Sequence, residues 1–340
     1  MPPMRYAIWN NKGGVGKSFL TFILGSEYAL ANPARKIVIM DLCPQANVSE
    51  MILGGDGIGS QNLAALLGQT PRKTIGGYFD DRIGSPHTAT GNASSYLISN
   101  LGQYNSNLPS NIHLVAGDPS LELQAQAINQ IGVQILPTNS WKNVHSWLLD
   151  LVGAVTHHLG ADTDFFIDCN PSFAAYTELA ILAAERLIVP CTADGSSARA
   201  IDNIGRLIYG VNVPQAYLNV NFAAKAIANN FVLPPVHVVL LNRSTQYDQR
   251  ASRAFSAMFD EIMLRANSLA QLGVQFSSSS ADRFVEMPDA HGVSVVCSND
   301  GIPLSRLRPG PHQVGTQRVQ VNEVPLNRYI ASANRILALL

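Results

Sequence analysis

Residues 10–18 read Asn-Asn-Lys-Gly-Gly-Val-Gly-Lys-Ser, between an apolar run at 6–9 and a helix-length segment holding Leu20, Phe22, Ile23, Leu24, Ala29 and Leu30. Strand, glycine-rich turn and helix in that order aim a helix N-terminus and a row of backbone N–H groups at an anion. The turn ends in Gly16-Lys17-Ser18, the close of a phosphate-binding loop, with Asn11 where the first glycine of the usual pattern stands. Lys17 is suited to bridge terminal phosphates, and the Ser18 hydroxyl to ligate Mg²⁺. Lys12 is surplus to that chemistry and calls for a second explanation.

Around the loop the chain alternates apolar runs and amphipathic stretches. Strands are predicted at 5–9, 36–40, 112–115, 165–167, 186–190, 236–241 and 293–296. Helices are predicted at 17–31, 119–131, 139–159, 174–185, 197–209, 249–271 and 326–340. In 139–159, Trp141, Val144, Leu148, Leu151, Val152, Val155 and Leu159 recur at three- and four-residue steps. Such alternation predicts an α/β three-layer sandwich, a twisted and mostly parallel sheet with helices on both faces. One domain over 1–340 is expected, with loop insertions near 84–111 and 211–235 and a C-terminal helix at 326–340. With 46% apolar residues the chain can fill a large core, while its 14% charged residues fall below the usual quarter and leave much of the surface neutral or covered by a partner.

The spacing Lys-Gly-Gly-x-Gly-Lys-Ser resembles the deviant Walker A motif of the ParA/MinD ATPases. The likeness continues in family order over residues 5–310. Residues 36–47, ending Asp41-Leu42-Cys43-Pro44-Gln45-Ala46-Asn47, resemble the stretch in which a second strand ends in Asp-x-Asp-Pro-Gln-x-Asn. Residues 164–172, with Asp168, resemble the Walker B segment; residues 180–194 resemble the next helix and strand, and 238–243 the late strand ending in Asn-Arg. The resemblance implies a slow ATPase (ATP to ADP and phosphate) with ATP and Mg²⁺ as cofactors. Gly13, Gly14, Val15, Gly16, Lys17, Ser18 and Phe19 would form the phosphate cradle. Ser18 and, through a water, Asp168 would hold the metal, although an Asp at a strand end can also simply cap a helix. Asp41 would position or polarise the attacking water, or support Mg²⁺. Asn242 and Arg243 fall at the base-recognition position, where a strand-end turn residue is the plainer alternative. Lys12 would cross to the nucleotide of a second subunit, much as an arginine finger does, and Gly13 and Gly14 would let two backbones approach.

Two departures stand out. Cys43 replaces the second aspartate, removing a negative charge near the site, and Cys169-Asn170 replaces the usual Thr-Pro after Asp168. The four cysteines match no zinc or haem spacing and read as free thiols.

For cellular role, the resemblance implies an ATP-bound homodimer that binds double-stranded DNA nonspecifically and partitions plasmids or chromosomes or positions cargo. A ParB-like or adaptor protein would stimulate hydrolysis. The chain starts at its first strand, so no N-terminal DNA-reading extension is expected, and a cytoplasmic, nucleoid-associated location follows. Net charge is −1, yet arginine supplies most of the basic residues, and 303–340 carries five arginines against Glu323 alone. Arg250, Arg253, Arg306, Arg308 and Arg318 are the DNA-contact candidates; an ordinary solvated face is the alternative. The main competing reading is a MinD-like membrane switch, for which helix 326–340 would lie on lipid; its alanines and lack of lysine fit a docked helix better. A cluster-bearing reductase similar to the nitrogenase iron protein would need cysteines converging on a dimer axis, whereas Cys43 and Cys169 adjoin the nucleotide carboxylates. A ligase similar to dethiobiotin synthetase would need a small-molecule acceptor.

Overall fold

The computed structural model describes residues 3–244, 246–247, 250–251 and 253–340; the side chains of 244–254 lie outside the described set. Seven parallel strands form the central sheet: β1 (Arg5–Ile8), β2 (Lys36–Leu42), β3 (Ile112–Val115), β4 (Thr163–Cys169), β5 (Arg186–Thr192), β6 (Val236–Ser244) and β7 (Phe284–Pro288), in the order β3-β2-β4-β1-β5-β6-β7. The strands are buried on both faces, and the sequence shows why. In β1, Tyr6 and Ile8 point into one apolar layer while Ala7 and Trp9 point into the other; in β4, Phe166 opposes Phe165 and Ile167. Helices then cover both layers, giving the three-layer α/β sandwich expected from the sequence.

The helix Lys17–Ala31 packs against β2 and β4 closely enough that a Cβ at Gly25 would lie 2.8 Å from Ile39 Cδ1. Because β1 sits in the middle of the sheet, the loop that follows it opens at the centre of the C-terminal edge. Parallel α/β sheets bind ligands at that edge.

Two predicted elements are corrected and one unpredicted hairpin is added. The run 293–296 is not a strand but part of the helix His291–Asp300, and the seventh strand is Phe284–Pro288. Val293, Val296 and Cys297 are buried while Val295 is 45% exposed, so burial follows helical steps and overrides the β-branched composition. The predicted helix 139–159 divides at Ser146 into Ser140–His145 and Trp147–Leu159. Residues 310–321, assigned no element from the sequence, form an antiparallel hairpin, β8 (Gly310–Val314) with β9 (Gln317–Val321), seated on the helix His291–Asp300. The insertion 84–111 carries two short 3₁₀ turns and 211–235 a 3₁₀ turn and the helix Phe222–Ala228. The C-terminal helix runs Glu323–Leu337, with Leu326, Tyr329, Ala333 and Ile336 buried.

Candidate nucleotide site

The glycine loop is held open by its own side chains. Asn10, fully buried, donates from Nδ2 to the Pro190 carbonyl at 2.8 Å and accepts from the Lys12 N–H at 2.9 Å. Gly14 and Gly16 have φ of +74° and +87°, in the left-handed region that favours glycine. At Gly16 a Cβ would also lie 2.7 Å from Asn242 Nδ2, so no other residue fits. The helix starts there, with the Leu20 N–H donating to the Gly16 carbonyl.

Lys17 is buried and curls back across the loop, donating from Nζ to the Asn10 and Lys12 carbonyls at 3.1 and 2.8 Å. Burial lowers its pKa, and the nearby Asp168 carboxylate opposes that. An anion in the cradle would relieve the burial penalty, because it supplies the counter-charge that two carbonyls replace only in part.

Asp41 and Asp168 are register partners on β2 and β4, and both are fully buried. Burial pushes both carboxyls above the usual range, and for Asp41 the neighbouring Asp168 adds to it. Their surroundings differ. Asp168 Oδ1 accepts from the Thr21 hydroxyl at 3.2 Å, and Ser18, Lys17 and Thr21 each oppose the effect of burial on the carboxyl, yet Oδ2 has no hydrogen-bond partner among the described residues. A buried carboxylate oxygen left open beside a serine hydroxyl is the donor set a hard cation or its water would complete.

Asp41, by contrast, is fully engaged. Oδ1 accepts from the Cys43 N–H at 3.0 Å, and Oδ2 accepts from the Ser49 N–H and hydroxyl at 3.0 and 2.7 Å. Gly117 closes the remaining side, where a Cβ would sit 2.9 Å from the carboxyl carbon. Asp41 lies beneath the turn 43–49, with three accepted hydrogen bonds on its two oxygens. It fixes the turn 43–49, and that turn presents Cys43, Gln45 and Asn47 to the cavity. Burial and the two aspartates push the Cys43 thiol up to about 12, so the position carries no charge at neutral pH.

The cavity at the loop has a volume of about 400 Å³ and is lined by Gly14, Lys17, Ser18, Cys43, Cys169 and Arg243, among others. A second cavity of about 340 Å³ shares Gly16, Phe19, Arg243 and Ser298 and continues along Asn242, Asp289 and Tyr329. Together they form one groove that opens at the glycine loop and runs away from it toward Asp289 and Tyr329. Arg243 lines both halves. Asn242 lines the second cavity and also braces the loop: its Nδ2 donates to the Val15 carbonyl at 2.8 Å and its Oδ1 accepts from the Arg243 N–H at 3.0 Å. One amide hydrogen and one lone pair of this side chain are left over beyond those two bonds. Asp289 and Ser298 of the groove were not picked out from the sequence, which places a strand at 293–296 where the helix His291–Asp300 runs.

Lys12 lines neither cavity. Its Nζ donates to Thr192 Oγ1 at 2.8 Å and Ser197 Oγ at 3.2 Å and is paired with the Asp194 carboxylate. Asp194 at the same time caps the helix Gly195–Tyr209, Oδ1 accepting from the Ser197 N–H at 2.9 Å. Burial pushes the Asp194 carboxyl up, but the hydrogen bonds from Lys12, Ser196, Ser197 and Thr192 outweigh it and hold the group well below the usual range. Gly13 and Gly14 face open space, with nothing within 4 Å of a Cβ built on either.

Arg306, Arg308 and Arg318 are exposed, beside or on the hairpin, and Arg306 also donates to the Asn107 carbonyl at 2.6 Å. The side chains of Arg250 and Arg253 lie outside the described residues.

A seven-stranded parallel sheet with a glycine-lysine loop after its central strand, and an aspartate ending the strand beside it, defines the chain as a P-loop nucleotide-binding protein. Residues 5–224 match the family model described as an AAA domain, and the chain belongs to that family, in its ParA/MinD-type branch. Solved structures of the same fold include an ATP complex of McdA from Cyanothece, with TM-score 0.62 at 14% identity, covering 98% of this chain and 96% of that one. A putative plasmid partition protein from Borrelia burgdorferi B31 bound to AMPPNP gives TM-score 0.56 at 16% identity, with both chains covered in full. No curated protein sequence matches significantly.

Proposed function

We propose that this protein is a ParA-type ATPase switch that binds ATP with Mg²⁺, pairs with a second copy in that state, and binds DNA nonspecifically as the pair. The observation that carries the nucleotide reading is the open, buried Asp168 oxygen beside Ser18, at the mouth of a loop built from backbone N–H groups and Lys17. Mg²⁺ held there by Ser18 and, through water, by Asp168 would neutralise triphosphate charge. Lys17 leaves the Asn10 and Lys12 carbonyls for the terminal phosphates, and residues 13–19 wrap the chain of phosphates. Arg243 and Phe19 would flank the base, while Asp41 acts as a positioning residue, holding the turn that faces the γ-phosphate.

Lys12 supports the paired state. It is turned away from its own groove and neutralised by Asp194, beside two glycines whose surface is open to a second backbone. Released from Asp194, it can place its charge against a partner's triphosphate. One solved neighbour of this fold is a putative plasmid partition protein bound to AMPPNP and another is an ATP complex, which favours the same role here. The C-terminal helix buries its apolar stripe in the domain, which favours DNA over a lipid surface; no described helix is long and apolar enough to cross a membrane. A ParB-like or adaptor protein would complete the cycle by stimulating hydrolysis, and a nucleoid location would follow.

The test is equilibrium binding of a fluorescent ATP analogue with and without Mg²⁺, followed by DNA binding with ATP, ADP or no nucleotide. Mg²⁺-dependent nucleotide binding and ATP-dependent DNA binding are expected. DNA binding indifferent to nucleotide would reject the switch.

A further inference from the structure

Away from the nucleotide groove, the segment 211–222 and the helix Phe222–Ala228 arch over the helix Gly195–Tyr209 and leave an apolar cleft of about 440 Å³. Its walls include Phe173, Leu207, Val213, Tyr217, Val220 and Phe222. It runs on past Glu178, Val220 and Phe222 to Trp141 and Val133. Large apolar side chains stand open along this face: Tyr217 is 59% exposed, Val220 57% and Val133 68%. Apolar surface gathered in this way marks an interaction site more often than chance exposure does.

Charge says what kind of partner fits. Neither 123–149 nor 203–235 contains an Asp or Glu, while they carry Lys142, Arg206 and Lys225. Arg206 lines the cleft and Lys225 its continuation, and neither has an ion-pair partner among the described residues. The one acid in the cleft, Glu178, is already engaged by His145 Nε2 at 2.9 Å. The rim is therefore cationic around an apolar floor.

The cleft is also wired to the phosphate loop. Phe173 follows the Asp168–Ser172 turn and packs on Trp9, ring centroids 5.4 Å apart, and Trp9 Nε1 donates to the Asn170 carbonyl at 2.9 Å. On its other side Phe173 meets Phe222 edge-on at 5.2 Å. A body seated on Phe222 thus presses through Phe173 on the strand that enters the loop and on the turn after Asp168.

We infer that this cleft is the docking site of a partner protein's amphipathic helix, one with an apolar stripe flanked by Asp and Glu, and that its occupancy is read at the nucleotide groove. Helix-in-groove recognition uses apolar anchors at i, i+3, i+4 and i+7, with flanking charges setting specificity. The inference rests on the switch reading only for the identity of the partner as the hydrolysis-stimulating one; the docking chemistry stands on the cleft itself.

The probes are two fluorescein-labelled designed peptides with the same apolar stripe, one flanked by Glu and one by Lys, titrated by anisotropy. The protein is tested as the wild type, as Val220→Glu and as the double reversal Arg206→Glu/Lys225→Glu. The Glu peptide should bind the wild type saturably and at least about tenfold tighter than the Lys peptide, with the order inverted on the double reversal. Val220→Glu should weaken the Glu peptide by about tenfold or more. Unchanged affinity of the ATP analogue would show that both variants are folded. Equal binding of the two peptides, no saturable binding, or indifference to both variants overturns the proposal. So does a concentration-dependent mass increase of the wild type that Val220→Glu abolishes, since the occupant would then be a second copy. Failure of ATP to bind the wild type would instead reject the switch reading and leave the peptide result intact.

Discussion

Lys17 and Lys12 sit five residues apart in the same loop and are held in opposite senses: one bonded to carbonyls inside its own cradle, the other drawn out of it by Asp194. Lys17→Ala removes the charge-assisted contact to the terminal phosphates, and ATP affinity should fall at least about tenfold to a hundredfold. Titration with a fluorescent ATP analogue checks it; unchanged affinity would contradict the loop assignment. Asp194→Asn frees Lys12 and weakens the cap of the helix Gly195–Tyr209. The account expects nucleotide affinity to hold while the ATP-dependent pairing of subunits shifts to lower protein concentration, read by sedimentation velocity. Unaltered pairing would show that Asp194 exerts no hold on Lys12. The carboxyl pair predicts a pH effect. Both pKa values are raised by burial, so the folded state binds more protons than the unfolded one from the ordinary carboxylate range upward, and this contribution to stability falls as pH rises. In nucleotide-free protein, Asp168→Asn should therefore raise the melting temperature more at pH 8 than at pH 5. A gain equal at both pH values would mean that the pair is not titrating.

At the scale of elements, β4 anchors the site because it supplies Asp168 at its end and aromatic side chains to both layers. Phe166 stacks with Tyr6 at 5.3 Å and meets Tyr28 at 5.5 Å under the helix that starts at Lys17. Phe166→Ala should cost roughly 3–5 kcal/mol in denaturant unfolding; a loss below about 1 kcal/mol would contradict that packing. The loop and the ends of β2 and β4 were legible in the sequence because local chemistry dictates them: glycine at positive φ, a lysine before a hydroxyl residue, and apolar runs that stop at a carboxylate. The far end of the groove was not, since Val293, Val295 and Val296 look like a strand until tertiary burial selects a helical face. The hairpin β8–β9 was equally hidden. Its outer face is polar, Gln313 facing Arg318 and Pro311 facing Gln320, and the apolar signal of Val314, Val319 and Val321 on its inner face is too short to stand out without its seat on the helix His291–Asp300. Asp41 shows a further limit. Its place at a strand end could be read, but the three hydrogen bonds that orient it come from Cys43 and Ser49, and the fold alone shows that Ser49 returns to it.

Over the whole molecule, the near-zero net charge is compatible with DNA binding if the exposed arginines beside the hairpin act together in a paired assembly. Replacing Arg306, Arg308 and Arg318 with alanine should weaken ATP-dependent DNA binding and lower the slope of log K against log salt by about 0.9 for each phosphate left without its arginine. An unchanged slope would move the DNA face elsewhere.

The central claim is that nucleotide binding and subunit pairing are one event, joined through Lys12. Sedimentation equilibrium of the wild type and of Lys12→Gln, each with ATP and Mg²⁺, with ADP, and without nucleotide, tests it most directly. The account predicts twice the chain mass for the wild type with ATP alone, and monomer for Lys12→Gln in all three conditions, although the variant still binds ATP. A Lys12→Gln variant that pairs with ATP as the wild type does, or a wild type whose mass ignores nucleotide, would contradict it.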